Sequence, residues 1–169
     1  TKDCEKAAQY LTEKFKSYGL EPVLQTFEFR VRNDGERRTA ILPRTEKTSN
    51  VVVTIKGIER PDEFVLIGAH YDHVGKRGQW NPGRRMGKCE KSGDEVWNGA
   101  DDNASGTAAL LELAEAFAGL KPKRSMVLVA FSAEEHGLLG SEYYRRNPAA
   151  PIEKTVLAIN LDMIGRETG

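Results

Sequence analysis

Three apolar runs, each leading into an acidic or imidazole side chain, constrain this chain more than any other feature. Residues 64–69 lead into His70, residues 126–131 into Glu134 and Glu135, and residues 156–161 into Asp162. A short continuous apolar run bounded by turn residues fits a strand covered on both faces, the usual setting of a parallel sheet. Helical periodicity fills the intervals. Residues 105–120 carry Leu110, Leu111, Leu113, Ala114 and Phe117 before Gly119 and Pro122, and residues 138–146 follow the second run. Alternating strands and helices predict an α/β fold, with a mixed, mainly parallel central sheet flanked by helices. In such sheets ligands gather at the carboxyl edge, where all three runs deliver their polar residues.

The first third of the chain frames that unit. Ala7, Ala8, Leu11, Phe15 and Tyr18 recur at helical spacing over residues 3–18, and Gly19 sits where a helix ends. Val23, Gln25, Phe27, Phe29 and Val31 share one face of an alternating segment. Asn33-Asp34-Gly35 then offers turn chemistry before residues 39–42, which predicts a hairpin. Residues 50–55 read as a further strand, separated from the run at 64–69 by Gly57 and the Pro61-Asp62 turn. Residues 73–98 carry many glycines and charges and read as a long loop bordering function. Trp80 and Trp97 belong to that loop and either line a pocket or pack beneath it.

A chain of 169 residues, 39% apolar, can bury one core and reads as one domain, residues 1–169. Its formal net charge of zero excludes the basic footprint of nucleic-acid or anionic-membrane binders. No run reaches membrane-spanning length. Cys4 and Cys89 are the only cysteines; they lack the close spacing of a structural zinc site, and whether they pair is open. The chain starts at Thr1 and stops at Gly169 just past a strand-like run, so the expectation is an N-terminal portion of a catalytic domain, incomplete at its C-terminus.

Four segments carry the chemistry. His70 and Asp72 stand two apart at a strand end, on the same side, where a carboxylate either pairs with a loop histidine or orients a metal-binding one. Asp101-Asp102-Asn103, between Gly99 and Gly106, puts acids at a helix start, whose positive pole favours them. One carboxylate suffices for a cap; two exceed that need. Glu134 and Glu135 leave a buried strand in different directions, so one can bind metal while the other, buried, takes a proton. Alone, they fit equally an acidic helix start. Asp162 enters apolar surroundings, where an ion needs a metal or a basic partner, Arg166 being the nearest candidate in sequence. Convergence of all four on one site is simpler than four coincidences.

With these segments in view, the chain resembles the co-catalytic two-zinc exopeptidases, which include secreted bacterial leucyl aminopeptidases and, more distantly, glutamate carboxypeptidase. The resemblance runs from about residue 7 to residue 165 and rests on Gly68-Ala69-His70-Tyr71-Asp72, Gly99 to Gly106, Ala133 to Ser141 and Asn160 to Gly165. It implies a zinc-exopeptidase (phosphorylase/hydrolase-like) fold and an aminopeptidase acting on peptide or protein N-termini. By it, His70 and Asp162 would hold one zinc, Glu135 the other, Asp102 both, and Glu134 would be the general base. Asp72 would orient His70, and the Asp102-Asn103 peptide bond is expected to be cis. A weakly favoured extracytoplasmic location follows from the same resemblance; oligomeric state is unreadable, and cobalt or manganese could replace zinc at such ligands.

The chain departs from the family at one point: the histidine that completes the second zinc site lies well downstream of the last aspartate, and this chain ends first. His73 and His136 are read first as a solvated loop residue and a helix-start residue, with a compensating metal ligand as the alternative for either. The supplied chain is therefore expected to be inactive alone. Two other readings stay open, a non-catalytic receptor-like module of the same fold and a one-zinc acyl transferase resembling glutaminyl cyclase.

Overall fold

The structure is a computed structural model that describes residues 2–31, 44–76 and 96–166. Its elements in chain order are α1 (Lys2–Ser17), β1 (Val23–Val31), β2 (Arg44–Ile55), β3 (Arg60–His70), α2 (Gly106–Gly119), β4 (Arg124–Phe131), α3 (Leu139–Arg146) and β5 (Thr155–Asn160). The five strands form one sheet in the order β1-β2-β4-β3-β5.

Alternation along the central strands assigns the two faces. Val51, Val53, Ile55, Met126, Leu128 and Ala130 point to the face covered by α1 and α2, meeting Leu11, Phe15, Leu110 and Ala114. Val52, Val127 and Val129 point to the opposite face, where Tyr144 of α3 and Ala150 cover them. Burying a leucine- or phenylalanine-sized side chain stabilises the fold by about 1.5–3 kcal/mol. Phe15, Leu110 and Leu128, each fully buried, therefore join helices to sheet. Gly19, with φ 77, adopts the left-handed conformation that ends α1 as expected.

Register positions the site. β3 pairs in parallel with β4, with His70 opposite Phe131, and in parallel with β5, with Gly68 opposite Asn160. The Leu161 N–H donates to the Gly68 carbonyl and the Tyr71 N–H to the Phe131 carbonyl, so all three strands end level. Whatever follows each strand in sequence meets the others at one edge.

Four expectations need correction. The sheet is evenly mixed rather than mainly parallel, because β2 runs antiparallel to both β1 and β4. The partner of β1 is the long strand Arg44–Ile55, with Val31 opposite Arg44; residues 39–42, the anticipated hairpin arm, lie outside the described residues. Nine register pairs outweigh a local turn signal in choosing that partner. Third, β3 is fully buried only from Ile67 to His70, since its first half extends past the sheet's cover. Fourth, β5 stands last in the sheet order of the described residues, and there Val156, Leu157 and Ile159 are open to solvent rather than covered. Apolarity says that a strand seeks cover; it does not say which neighbour supplies it. Among the described residues, no helix is long and apolar enough to cross a membrane.

Candidate metal centre

His70 is the last residue of β3, and its side chain is 4% exposed. Its Nδ1 lies 3.0 Å from the Asp72 carbonyl oxygen, which only accepts, so Nδ1 carries a proton and Nε2 is left for a second proton or a metal ion. That Nε2 faces Asp102 Oδ1 at 3.2 Å, Asp162 Oδ1 at 3.5 Å and Glu134 Oε2 at 3.9 Å. Carboxylate oxygens on three sides of Nε2 suit either a proton on that nitrogen or a metal cation between them. Zinc binds such atoms at about 2.0–2.2 Å, which sets tetrahedral ligands about 3.3 Å apart. The spacing of Nε2 from Asp102 and Asp162 fits.

Two donor sets emerge. His70, Asp102 and Asp162 form one and His73, Asp102 and Glu135 the other, with one atom from each residue lying within 4.8 Å of the others in its set. Asp102 is common to both. The donors, imidazole and carboxylate, suit zinc. Glu134 belongs to neither set. Its carboxyl is pushed upward first by burial and then by Glu135, Asp162 and Asp102, with His70 opposing.

Asp102 owes its place to the turn before α2. Gly99 has φ 63; a Cβ there would lie 2.6 Å from the Asp102 carbonyl and 2.7 Å from the His73 ring. Only glycine fits both the conformation and the contact. The Asp102-Asn103 peptide bond is cis. Asn103, 2% exposed, donates from Nδ2 to the Leu161 carbonyl at 2.8 Å and accepts through Oδ1 from the N–H groups of Gly106 and Met163. It thereby ties the Asp102 turn to both neighbours of Asp162. Asp101 points away from the donor sets: its Oδ1 accepts the Gly165 N–H at 2.8 Å, and Arg166 Nε lies 2.8 Å from Oδ2, a charge contact rather than an aligned hydrogen bond. Arg166 thus pairs with Asp101, not with Asp162 as its position in sequence suggested.

Asp72 touches His70 and also holds the start of the next segment. Its carboxylate accepts the N–H of Glu134 at 3.0 Å and of Glu135 at 3.2 Å, while the backbone carbonyl holds His70. Carboxylate Oδ1 is 3.8 Å from His70 Nδ1, a weaker contact. Burial pushes the Asp72 carboxyl upward, and the hydrogen bonds from Glu134 and Glu135 and the charge of His70 pull against it.

His73, read as solvated, is instead half-buried, with Nδ1 2.9 Å from Glu135 Oε1. His136 packs against Phe29, with ring centroids 5.1 Å apart, and joins neither donor set. Sequence reasoning kept His73 only as an alternative ligand and gave Asn103 no role of its own. The only available signals were the place of His73 immediately after Asp72 and the single amide in an acidic turn. In the long loop, Lys76 pairs with Val96 and the Trp97 N–H donates to the Gly75 carbonyl, while Trp80 and Cys89 lie outside the described residues. Cys4 Sγ approaches the hydroxyls of Ser132 and Thr48. A cleft of about 290 Å³ opens beside His70, Glu134 and Asp162, with Leu66, Phe131 and Leu138 forming its apolar side.

Known proteins resemble this chain in sequence and in fold. Over 135 residues, 80% of the chain and 26% of the relative, it is 38% identical to a probable zinc metalloprotease of Pyrenophora teres f. teres. It is 33% identical to the aminopeptidase YwaD of Bacillus subtilis over 72% of the chain and 23% of that relative. The chain spans about a quarter of the length of the curated relatives it matches. An aminopeptidase from Aneurinibacillus sp. strain AM-1 superposes with a TM-score of 0.76 over 99% of this chain and 66% of its own, at 19% identity, a likeness of fold. Residues 50–169, which hold every donor named above, match the model of peptidase family M28, and the chain belongs to that family.

Proposed function

We propose that the full-length protein is a zinc-dependent aminopeptidase that hydrolyses the N-terminal peptide bond of peptides or proteins. The observation that carries this reading is the pair of donor sets sharing Asp102, with Glu134 outside both but beside them and open to the cleft. The names of the relatives, a zinc metalloprotease and an aminopeptidase, favour the same metal and substrate class.

Two zinc ions, one held by His70, Asp102 and Asp162 and the other by Asp102 and Glu135 with a further ligand, would supply Lewis-acid polarisation and a water of lowered pKa. Glu134 is the general base: burial and three neighbouring carboxylates raise its proton affinity above that of an ordinary glutamate. It takes the proton of the attacking water and returns it to the departing amine. Asp72, by holding two consecutive N–H groups, keeps the Glu134 and Glu135 backbones fixed while their side chains serve different tasks. Leu66, Phe131 and Leu138 give the cleft an apolar side against which a substrate side chain can rest.

Elemental analysis of the purified full-length protein, with hydrolysis of leucine p-nitroanilide, tests the reading. The expected result is two zinc ions per chain and a Glu134→Gln variant that keeps its metal but loses about 10²–10⁴-fold in rate. A protein that binds no metal is the receptor-like module instead. Cyclisation of a glutaminyl peptide with release of ammonia, in place of hydrolysis, would make it an acyl transferase.

A further inference from the structure

We infer that His73 is a positioning residue, whose Nδ1–H donates to Glu135 Oε1 and presets that carboxylate for the second cation. This rests on the two-cation reading above and adds a residue to it. The contact is 2.9 Å, and the two side chains are 19% and 7% exposed. Such a distance is that of a charge-assisted hydrogen bond, whereas two ligands of one tetrahedral zinc stand about 3.3 Å apart and share no proton. The imidazole is therefore read as a donor to the ligand rather than as a ligand.

The ring has little freedom to leave this position. The face of Gly99 is its wall: a Cβ there would come within 2.7 Å of His73 Cγ and 2.8 Å of Cδ2. Glu135 is held at both ends by adjacent residues of one segment, its N–H by the Asp72 carboxylate and its side chain by His73. The same strand exit thus serves both groups: His70 belongs to the first, and His73, which stands with Asp102 and Glu135 in the second, acts there by orienting Glu135. A glutamate has three rotatable side-chain bonds, and fixing them before the cation arrives removes an ordering cost from binding. Hydrogen-bonding partners of metal ligands typically change metal affinity about 10–100-fold when lost.

The test is a competitive zinc titration of the full-length apoprotein against a chromophoric chelator, supported by the visible absorption of the cobalt(II) forms. His73→Ala is expected to weaken the second cation about 10–100-fold and to leave the first site, a built-in report of correct folding, unchanged. His73→Asn, whose amide nitrogen can donate from about the place of Nδ1, is expected to recover much of the loss. Unchanged affinity at both sites in His73→Ala overturns the inference while leaving the two-cation reading intact. A second site abolished equally in both variants makes His73 a ligand and also overturns it. A wild-type protein that takes up only one cation overturns the two-cation reading and this inference with it.

Discussion

Removing the side chain of Asn103 should cost more stability than most buried polar substitutions, because one amide spans the site. Asn103→Ala deletes three hydrogen bonds, to the Leu161 carbonyl at 2.8 Å and from the N–H groups of Gly106 at 3.0 Å and Met163 at 3.2 Å. At about 1 kcal/mol net per bond, the loss is about 3 kcal/mol. The Gly106 N–H keeps the Asn103 backbone carbonyl as an alternative partner, which argues against the upper end of the range for orphaned groups. Urea unfolding of the metal-free full-length protein measures this directly. With a slope of about 1–3 kcal/mol per molar, the midpoint should fall by about 1–3 M. Zinc affinity of the set containing Asp102 and Asp162 should fall too, since Asn103 joins the segments that carry them. Asn103→Asp keeps the acceptor but turns an oxygen toward the Leu161 carbonyl, so it should cost at least as much as one bond. A loss below about 1 kcal/mol for Asn103→Ala, with zinc affinity unchanged, would refute the claim that this amide couples the turn to the end of β5.

Two further outcomes follow from other parts of the molecule. The Glu142 carboxyl on α3, bonded by Arg145 and Arg146, is held down to about 2 from 4.5. A carboxylate with a depressed folded value stabilises above the ordinary value and loses that contribution as pH falls through the folded one. Amide exchange in α3 should therefore quicken as pH drops from 4.5 toward about 2, relative to the intrinsic rate, and Glu142→Gln should flatten that dependence. Gly140 sits where a Cβ would lie 2.1 Å from the Ser132 carbonyl and 2.5 Å from Asn50 Oδ1. Gly140→Ala should destabilise by about 1–3 kcal/mol through overpacking; wild-type stability in urea would contradict the close approach of α3 to the sheet.

Much of the fold was legible because its signals are local. The spacing of Ala8, Leu11 and Phe15 predicted α1, whose buried residues are those three. The continuous run at 126–131 predicted β4, buried through its length apart from its ends. Pairing was less legible. Asn33-Asp34-Gly35 pointed to residues 39–42, whereas the partner of β1 begins at Arg44 and extends to Ile55.

The candidate site divides in the same way. The sequence by itself determined the donor types and their placement at strand ends, because a strand's length and apolarity dictate where its last residue emerges. It did not determine which donor faces which. His73 and Glu135 are 62 residues apart, and Asn103 and Leu161 are 58 apart. Their distances depend on the register of β3 with β4 and β5, which no local pattern encodes. Tertiary structure decided that Arg166 meets Asp101, that the Asp72 carboxylate accepts from the Glu134 and Glu135 backbone, and that His73 reaches Glu135. The physical reason is that propensity and periodicity act over a few residues, whereas a charge or lone pair is satisfied by whatever the packed chain brings within about 3 Å.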